Sequence, residues 1–506
     1  MAKKQSAAKG TTSIGFEDKI WKAADILRGS LSASQYKNVV LGLIFLKYIS
    51  DQFEQKYKEL LADPLADPED KDEYLADNIF FVPQASRWEV ISAAANTPEI
   101  GVVIDNAFTQ LESENLRLKG ILPNGYAAPE IDKVKLGEVV TLFTNIEMLD
   151  AADEKDLMGR AYEYCLSKFA KLEGKNGGEF YTPSCIVRTL VEILEPYEGR
   201  VFDPCCGSGG MFVQSAKFIE RHQGNLRKIS IYGQEFNNET WKLAQINLAI
   251  RGLEADLGPT NADSFLNDQH PTLKADFILA NPPFNLKEWG QPRLLEDARW
   301  AYGIPPEGNA NFAWMQHMIY HLSPVGKIGL VLANGALSSQ TGSEGAIRKA
   351  IVEADFVEGI IALPSQLFYS TQIPVSLWFI NRAKKQKGKT LFIDARNMGT
   401  MVDRTLRELM PDTDIKKIAD TFHAYQQGTL ADEKGFCAVC TTEQIAAQDF
   451  ILTPGRYVGI AEEEDDGVPF EEKMTKLTQS LSQLFAESKK QEEEIRKQLK
   501  KIGWEV

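Results

Sequence analysis

Apolar residues recur at helical spacing through the first part of the chain and then give way to short apolar runs. Trp21, Ala24 and Leu27, then Tyr36, Val40, Leu43, Phe45 and Ile49, mark helices over residues 16–27 and 35–61. An acidic loop containing Pro64 and Pro68 follows them. Further on, the runs 200–203, 229–233, 275–280, 327–333, 357–362 and 375–381 alternate with helical segments. Such alternation predicts an α/β fold with a doubly wound, mostly parallel sheet. The last two runs, joined by a loop, are candidates for an antiparallel pair at the sheet edge. Residues 382–389 read as a polar basic linker, and the acidic segment 462–467 breaks the chain again. Beyond it, Met474, Leu477, Leu481, Leu484, Ser488, Gln491, Ile495, Gln498 and Ile502 follow a 3/4 alternation. That is a heptad seam with polar interruptions, and it needs a partner, either its own domain or, the favoured reading, another subunit. The expected division is a helical domain over 1–150, the sheet domain over 151–400, a mixed region over 401–465 and a terminal helix over 466–506.

Composition narrows the class. Hydrophobic residues make up 43% and charged residues 25% of the 506 positions, as in ordinary soluble proteins. The first ten residues are polar, and the longest apolar run stops at Lys47, short of the ~20 residues a membrane span needs. A cytosolic protein without membrane contact is expected. Six cysteines do not make a disulfide framework. Cys437 and Cys440 form one CxxC with only His423 near in sequence, and His317/His321 have zincin spacing with Met318 where a catalytic Glu would stand. No metal is expected.

Two motifs carry chemistry. The first is a glycine loop, Asp203-Pro204-Cys205-Cys206-Gly207-Ser208-Gly209-Gly210, between a predicted strand and helix. Gly207 and Gly209 let backbone approach a ligand closely, and the helix N-terminus favours its polar groups. A tight strand-to-helix turn explains part of this pattern. The leading Asp203 suggests an acid beside a charged methionine moiety rather than a pyrophosphate. Glu235 ends the next strand, where an acid accepts from ribose hydroxyls, and Asp263 follows the third crossover, within reach of the cofactor's adenine amine. Upstream lies Gly178-Glu179-Phe180-Tyr181-Thr182-Pro183. Pro183 at the first helical position with Thr182 as N-cap accounts for part of it.

The second motif, Asn281-Pro282-Pro283-Phe284, closes the run 275–280. An exocyclic amine is a poor nucleophile because its lone pair is delocalised into the ring. Asn281 Oδ1 and the Pro282 carbonyl can accept its two hydrogens and offset developing positive charge. Pro282 and Pro283 fix the direction of that carbonyl, and Phe284 gives a flipped base a face to stack on. Together the motifs read as methyl transfer from S-adenosylmethionine (SAM) to an exocyclic amine, foremost N6 of adenine in DNA. Cys205, a nucleophile by analogy with cytosine methylation, lies inside the cofactor loop and is discounted. The net charge of −15 is unexpected for an enzyme that binds duplex DNA: either the substrate is not nucleic acid or another subunit supplies most of the basic surface, and the ends of the chain favour the second.

These residues resemble the modification (methyltransferase) subunit of type I restriction–modification systems, an adenine-N6 DNA methyltransferase. The likeness includes residues 27–37 and 46–51, then Gly178–Pro183, Asp203–Gly210, Gly233-Gln234-Glu235 and Asn281–Phe284 in that order, Gly308-Asn309-Ala310-Asn311-Phe312-Ala313-Trp314, Leu367-Phe368-Tyr369 and residues 452–458. It implies a Rossmann-like SAM-dependent methyltransferase domain with cofactor contacts from Gly178, Glu179, Phe180, Tyr181, Thr182, Pro183, Ser208, Gly209, Gly210 and Glu235. It also implies double-stranded DNA as substrate and assembly with a specificity subunit, two methyltransferase copies to one, plus a restriction subunit in the full complex. Cys205-Cys206 stands where the family often has Ala-Cys. Rival readings are a protein-glutamine methyltransferase, which typically has Tyr where Phe284 stands, and a non-catalytic SAM-binding scaffold.

Overall fold

The computed structural model describes residues 17–27, 33–146, 164–165, 168–169, 182–368, 372–402, 404–460 and 470–501. The chain divides into two compact units, Met1–Gly459 and Ile460–Val506.

The first unit opens with the two expected helices, Glu17–Leu27 and Ala33–Ala62, followed by shorter ones that include Ile100–Glu114 and Lys133–Thr144. Asp132 caps the last of these by accepting from Val134 and Lys135 N–H. Their apolar faces share a core with Leu243, Ile246, Ala249 and Ile250 of the helix Asn238–Ile250. The helical part therefore packs directly on the sheet part.

Eleven strands follow among the described residues. β1 is Gly199–Asp203, β2 Ile229–Gly233, β3 Ala255–Asp256, β4 Ala275–Ala280, β5 Leu322–Ala333 and β6 Val357–Ala362. β7 is Val375–Asn381, β8 Lys389–Asp394 and β11 Cys437–Thr441, while β9 (Thr400–Met401) and β10 (Arg407–Glu408) form a separate ribbon. The main sheet runs β11-β8-β6-β7-β5-β4-β1-β2-β3. β5, β4, β1, β2 and β3 are mutually parallel. Burial on both faces explains the unbroken apolar runs. Leu377 and Phe379 of β7 enter one core with the helices Ser184–Leu194, Gly210–Arg221 and Lys416–Gln427. Trp378 and Ile380 enter the opposite one with Asn311–His321 and Glu344–Glu353.

Two expectations are corrected. β6 and β7 do pair antiparallel, but not at the edge: β7 inserts between β5 and β6. The supposed linker 382–389 is the turn into β8, which runs parallel to β6. Its lysines masked the short run Thr390, Leu391, Phe392 and Ile393, all buried. Tyr457 stacks on Phe392 with centroids 4.0 Å apart, which ties residues after 401 to the same sheet. Cys437 and Cys440 sit in β11 and enter opposite cores, so their thiols cannot share one ligand.

In the second unit the helix Phe470–Lys501 leaves its apolar stripe in the open, from 41% exposed at Met474 to 67% at Phe485. No described helix is long and apolar enough to cross a membrane.

Candidate functional site

β1 lies between β2 and β4, and the chain order of the strands reverses there. Asp203 is level with Gly233, and Phe202 with both Tyr232 and Ile278. The loops that leave these strands thus open at one rim, the switch point where open α/β sheets bind ligands.

The loop after β1 is shaped by its glycines. Gly207 (φ 54°) and Gly209 (φ 80°) adopt the left-handed backbone that side chains disfavour. Gly207 thereby donates its N–H to Glu235 Oε2 at 3.0 Å, and Gly209 takes the N-cap of the helix Gly210–Arg221. A Cβ on Gly210 would meet no atom within 4 Å, so the helix N-terminus fronts open space. The Ser208 carbonyl is fixed by Asn247 Nδ2 at 2.7 Å.

Asp203 Oδ1 accepts from Cys205 N–H at 3.0 Å, and its backbone carbonyl accepts from Gln234 N–H. Glu235 also accepts from Asn237 N–H at 2.8 Å. Two backbone donors use two of a carboxylate's roughly four lone-pair sites, which leaves acceptors for a diol. Burial pushes the Asp203 carboxyl up to about 7, with the Glu235 charge adding to the rise, and burial raises Glu235 too. The same burial, reinforced by those two acids, drives the Cys205 and Cys206 thiols well above 9.0. A nucleophilic thiolate at this loop is therefore disfavoured. Asp263 spends Oδ1 on its own turn, accepting from Phe265 and Leu266 N–H at 2.8 and 3.1 Å. Only its second oxygen remains for a ligand. Open space at a helix N-terminus, with the buried acids Asp203 and Glu235 on the adjoining loops, fits a cationic nucleoside such as SAM.

The loop after β4 places Asn281 beside Thr182. Asn281 Nδ2 donates to Thr182 Oγ1 at 3.0 Å, while Oδ1 is buried with no partner among the described residues. A buried acceptor left unpaired in this way is costly unless a ligand completes it. The N-cap expected of Thr182 is corrected: the helix runs Ser184–Leu194, Pro183 is its N-cap and no side chain caps it. Gly178, Glu179, Phe180 and Tyr181 lie outside the described residues. Phe284 meets Phe368 edge to face, centroids 5.8 Å apart.

Sequence reasoning missed several supports. Asn285 stands in the left-handed region (φ 53°) immediately after Phe284. Its N–H donates to Asn311 Oδ1 at 3.1 Å, and its Oδ1 accepts from Asn309 and Asn311 amides at 3.2 and 3.0 Å. The Gly308–Trp314 motif is therefore a clamp on the loop after β4. Phe236, directly after Glu235, is 69% exposed, and an aromatic next to a strand-end acid was the available signal. Arg299 is buried and donates to the Ser264 and Phe265 carbonyls at 3.0 and 2.6 Å, which holds the Asp263 turn. No spacing pointed to it.

Arg299 also donates to His317 Nδ1 at 3.0 Å, in a cluster with His321 and Asp268. Burial, with the charges of His321 and Arg299, holds His317 well below 6.5. Burial alone would raise Asp268, but the His321 hydrogen bond and charge bring it down to about 2. His321 Nε2 lies 2.9 Å from Asp268. A cation placed among these groups would face the guanidinium, so the cluster suits a structural role.

The family model for N-6 DNA Methylase matches residues 153–466, and that for the HsdM N-terminal domain matches residues 16–143. The chain is 52% identical over 447 residues to the type I restriction enzyme HindI methylase subunit of Haemophilus influenzae, covering 84% of this chain and all of that one. It is 40% identical to the MjaIX methylase subunit of Methanocaldococcus jannaschii, covering 97% and 92%. The crystal structure of a type I restriction-modification methyltransferase subunit from Streptococcus thermophilus superposes with TM-score 0.75 at 24% identity, over 88% of this chain and all of that one.

Proposed function

Since the chain belongs to the N-6 DNA methylase family, in the company of type I restriction enzyme methylase subunits, we propose that it methylates the N6 amine of adenine in double-stranded DNA, with SAM as donor. The observation that carries this reading is the buried Oδ1 of Asn281, without a partner among the described residues, at the same rim as the glycine loop. An oxygen acceptor in that position calls for an N–H donor.

Bound at this rim, SAM supplies a methyl group on a positively charged sulfur. Glu235 would accept from the ribose hydroxyls, and the exposed ring of Phe236 would cover a face of the cofactor's adenine. Asp203 would face the charged methionine portion, Asp263 the adenine amine, and Gly207, Ser208, Gly209 and Gly210 would give backbone access. Asn281 Oδ1 and the Pro282 carbonyl would accept hydrogen bonds from the two N–H groups of the target amine, which localises its lone pair. Pro283 stiffens the turn, and Phe284, braced by Phe368, stacks on the flipped base. Holding amine and donor in line supplies much of the acceleration.

Sequence reading is assigned to a separate specificity subunit, engaged through the terminal helix of residues 466–506, two methyltransferase copies to one, with a restriction subunit in the full complex. The exposed stripe of Phe470–Lys501 and the net charge of −15 support this division. The test is transfer of labelled methyl to unmethylated duplex DNA, with and without the specificity subunit, and identification of the product base by mass spectrometry. N6-methyladenine formed only by the complex is the expected result. Label on protein glutamine, or no transfer at all, overturns the reading.

A further inference from the structure

We propose that Thr182 is a positioning residue for methyl transfer, whose hydroxyl sets the Asn281 amide so that Oδ1, and not Nδ2, faces the target amine. This deepens the reading of Asn281 as the amine's acceptor and rests on it.

A carboxamide is nearly symmetric in shape, and a half-turn about Cβ–Cγ exchanges an acceptor for two donors. Turned over, Asn281 would set N–H against the N–H of an amine and accept nothing. The partner at the far end of the amide therefore decides whether the site works. That partner is Thr182 Oγ1, 3.0 Å from Nδ2. The hydroxyl is free for this task because the following helix is capped by Pro183, without a side-chain bond. In the reversed orientation the hydroxyl could still donate to Oδ1. It would then leave two amide N–H groups unpaired in a buried site, and orphaned donors are tolerated less often than an orphaned oxygen. Both backbones are held as well. Thr182 precedes Pro183 and Asn281 precedes Pro282, and a following proline restricts each to extended conformations. Two stiffened segments, 99 residues apart in sequence, meet at one hydrogen bond that orients the acceptor.

The experiment compares Thr182→Val, which keeps the shape and removes the acceptor, with Thr182→Ser, which keeps the hydroxyl. In complex with the specificity subunit, Thr182→Val should slow single-turnover methyl transfer roughly tenfold, the scale of one lost hydrogen bond, and the loss should persist at saturating SAM, which removes any share of it due to the cofactor contact that the resemblance implies for Thr182. Thr182→Ser should restore the rate. In an Asn281→Ala background, Thr182→Val should cost nothing further, because the residue acts through Asn281. A second readout needs no activity. The side-chain amide resonances of Asn281 in asparagine-labelled full-length chain, assigned by their loss in Asn281→Ala, should exchange with solvent faster in Thr182→Val and at the wild-type rate in Thr182→Ser. Weakened SAM binding with an intact rate would make Thr182 a cofactor contact and overturn the proposal. Equal losses with and without Asn281, or unaltered amide exchange, would overturn it too. If the wild-type complex leaves adenine unmethylated, the functional reading falls, and the amide resonances still decide what Thr182 does.

Discussion

Asp203→Asn should make the cofactor-free protein more stable and its SAM complex weaker, with a pH dependence that traces both effects to one buried carboxyl. Burial, aided by the Glu235 charge, carries Asp203 from 3.8 to about 7. At 1.36 kcal/mol per decade, that penalises the ionised form by about 4 kcal/mol. Because the folded value lies above the unfolded one, the unfolded chain ionises first as pH climbs. The stability this carboxyl contributes is complete below about 3.8, declines up to about 7 and is lost above it. Asparagine never ionises, so its advantage should grow across that window and level off beyond it. The amide keeps an acceptor for Cys205 N–H but brings new buried donors, at about 1–3 kcal/mol. A net gain of about 1–3 kcal/mol above pH 7 remains. Wild-type SAM affinity should fall as pH drops below about 7, by at most tenfold per unit, since the proton must leave before a cation is favoured. S-adenosylhomocysteine, whose sulfur is uncharged, should follow pH less steeply. Thermal midpoints and calorimetric titrations of both proteins across pH 5 to 8.5 check this. A stability difference equal at the two ends, or a variant less stable at the upper one, refutes the reasoning.

Glu235→Ala should weaken SAM by about 1.5–3 kcal/mol, the scale of charge-assisted hydrogen bonds, and should also lower the thermal midpoint, because Gly207 and Asn237 N–H lose their acceptor. Calorimetry on Glu235→Gln, which keeps an acceptor, separates the two effects, and unchanged affinity in both variants would move the ribose contact elsewhere. Phe284→Ala should slow methylation of duplex DNA through loss of stacking worth ~1–3 kcal/mol, and Phe284→Trp should be milder; equal wild-type rates in both would dismiss stacking. Deleting residues 468–506 should leave a folded chain that binds SAM yet no longer co-purifies with the specificity subunit or methylates DNA, and full assembly by the truncated chain would return the helix to a packing role.

The sheet was legible wherever an apolar run was long enough to be buried on both faces. Runs 229–233, 275–280, 357–362 and 375–381 coincide with strands. β8 escaped because its four buried residues sit behind a lysine-rich turn, and β3 because two residues hold no period. Strand order escaped for another reason: periodicity says which face is buried but not which neighbour is paired, so the insertion of β7 beside β5 was not readable. At the candidate site, residue types were legible and their mutual geometry was not. The sequence offered Thr182 as a helix cap, and only the fold shows its hydroxyl on Asn281. Asn285 was not singled out, and Asn311 entered only within the run Gly308–Trp314, because their partnership spans two segments.

The proline after Asn281 has a consequence for how the protein ages. Asparagine loses its amide chiefly when the next residue's backbone nitrogen attacks the side-chain carbonyl and closes a succinimide. Pro282 has no N–H to make that attack, so the proposed acceptor of the target amine is shielded from this route of deamidation. A carboxylate formed there would lack the Nδ2 donor now held by Thr182 and would add charge to a buried site. Asn124, exposed and followed by Gly125 in a left-handed turn, has no such shield. In a stored preparation, charge heterogeneity should accumulate at such surface loops while Asn281 keeps its amide.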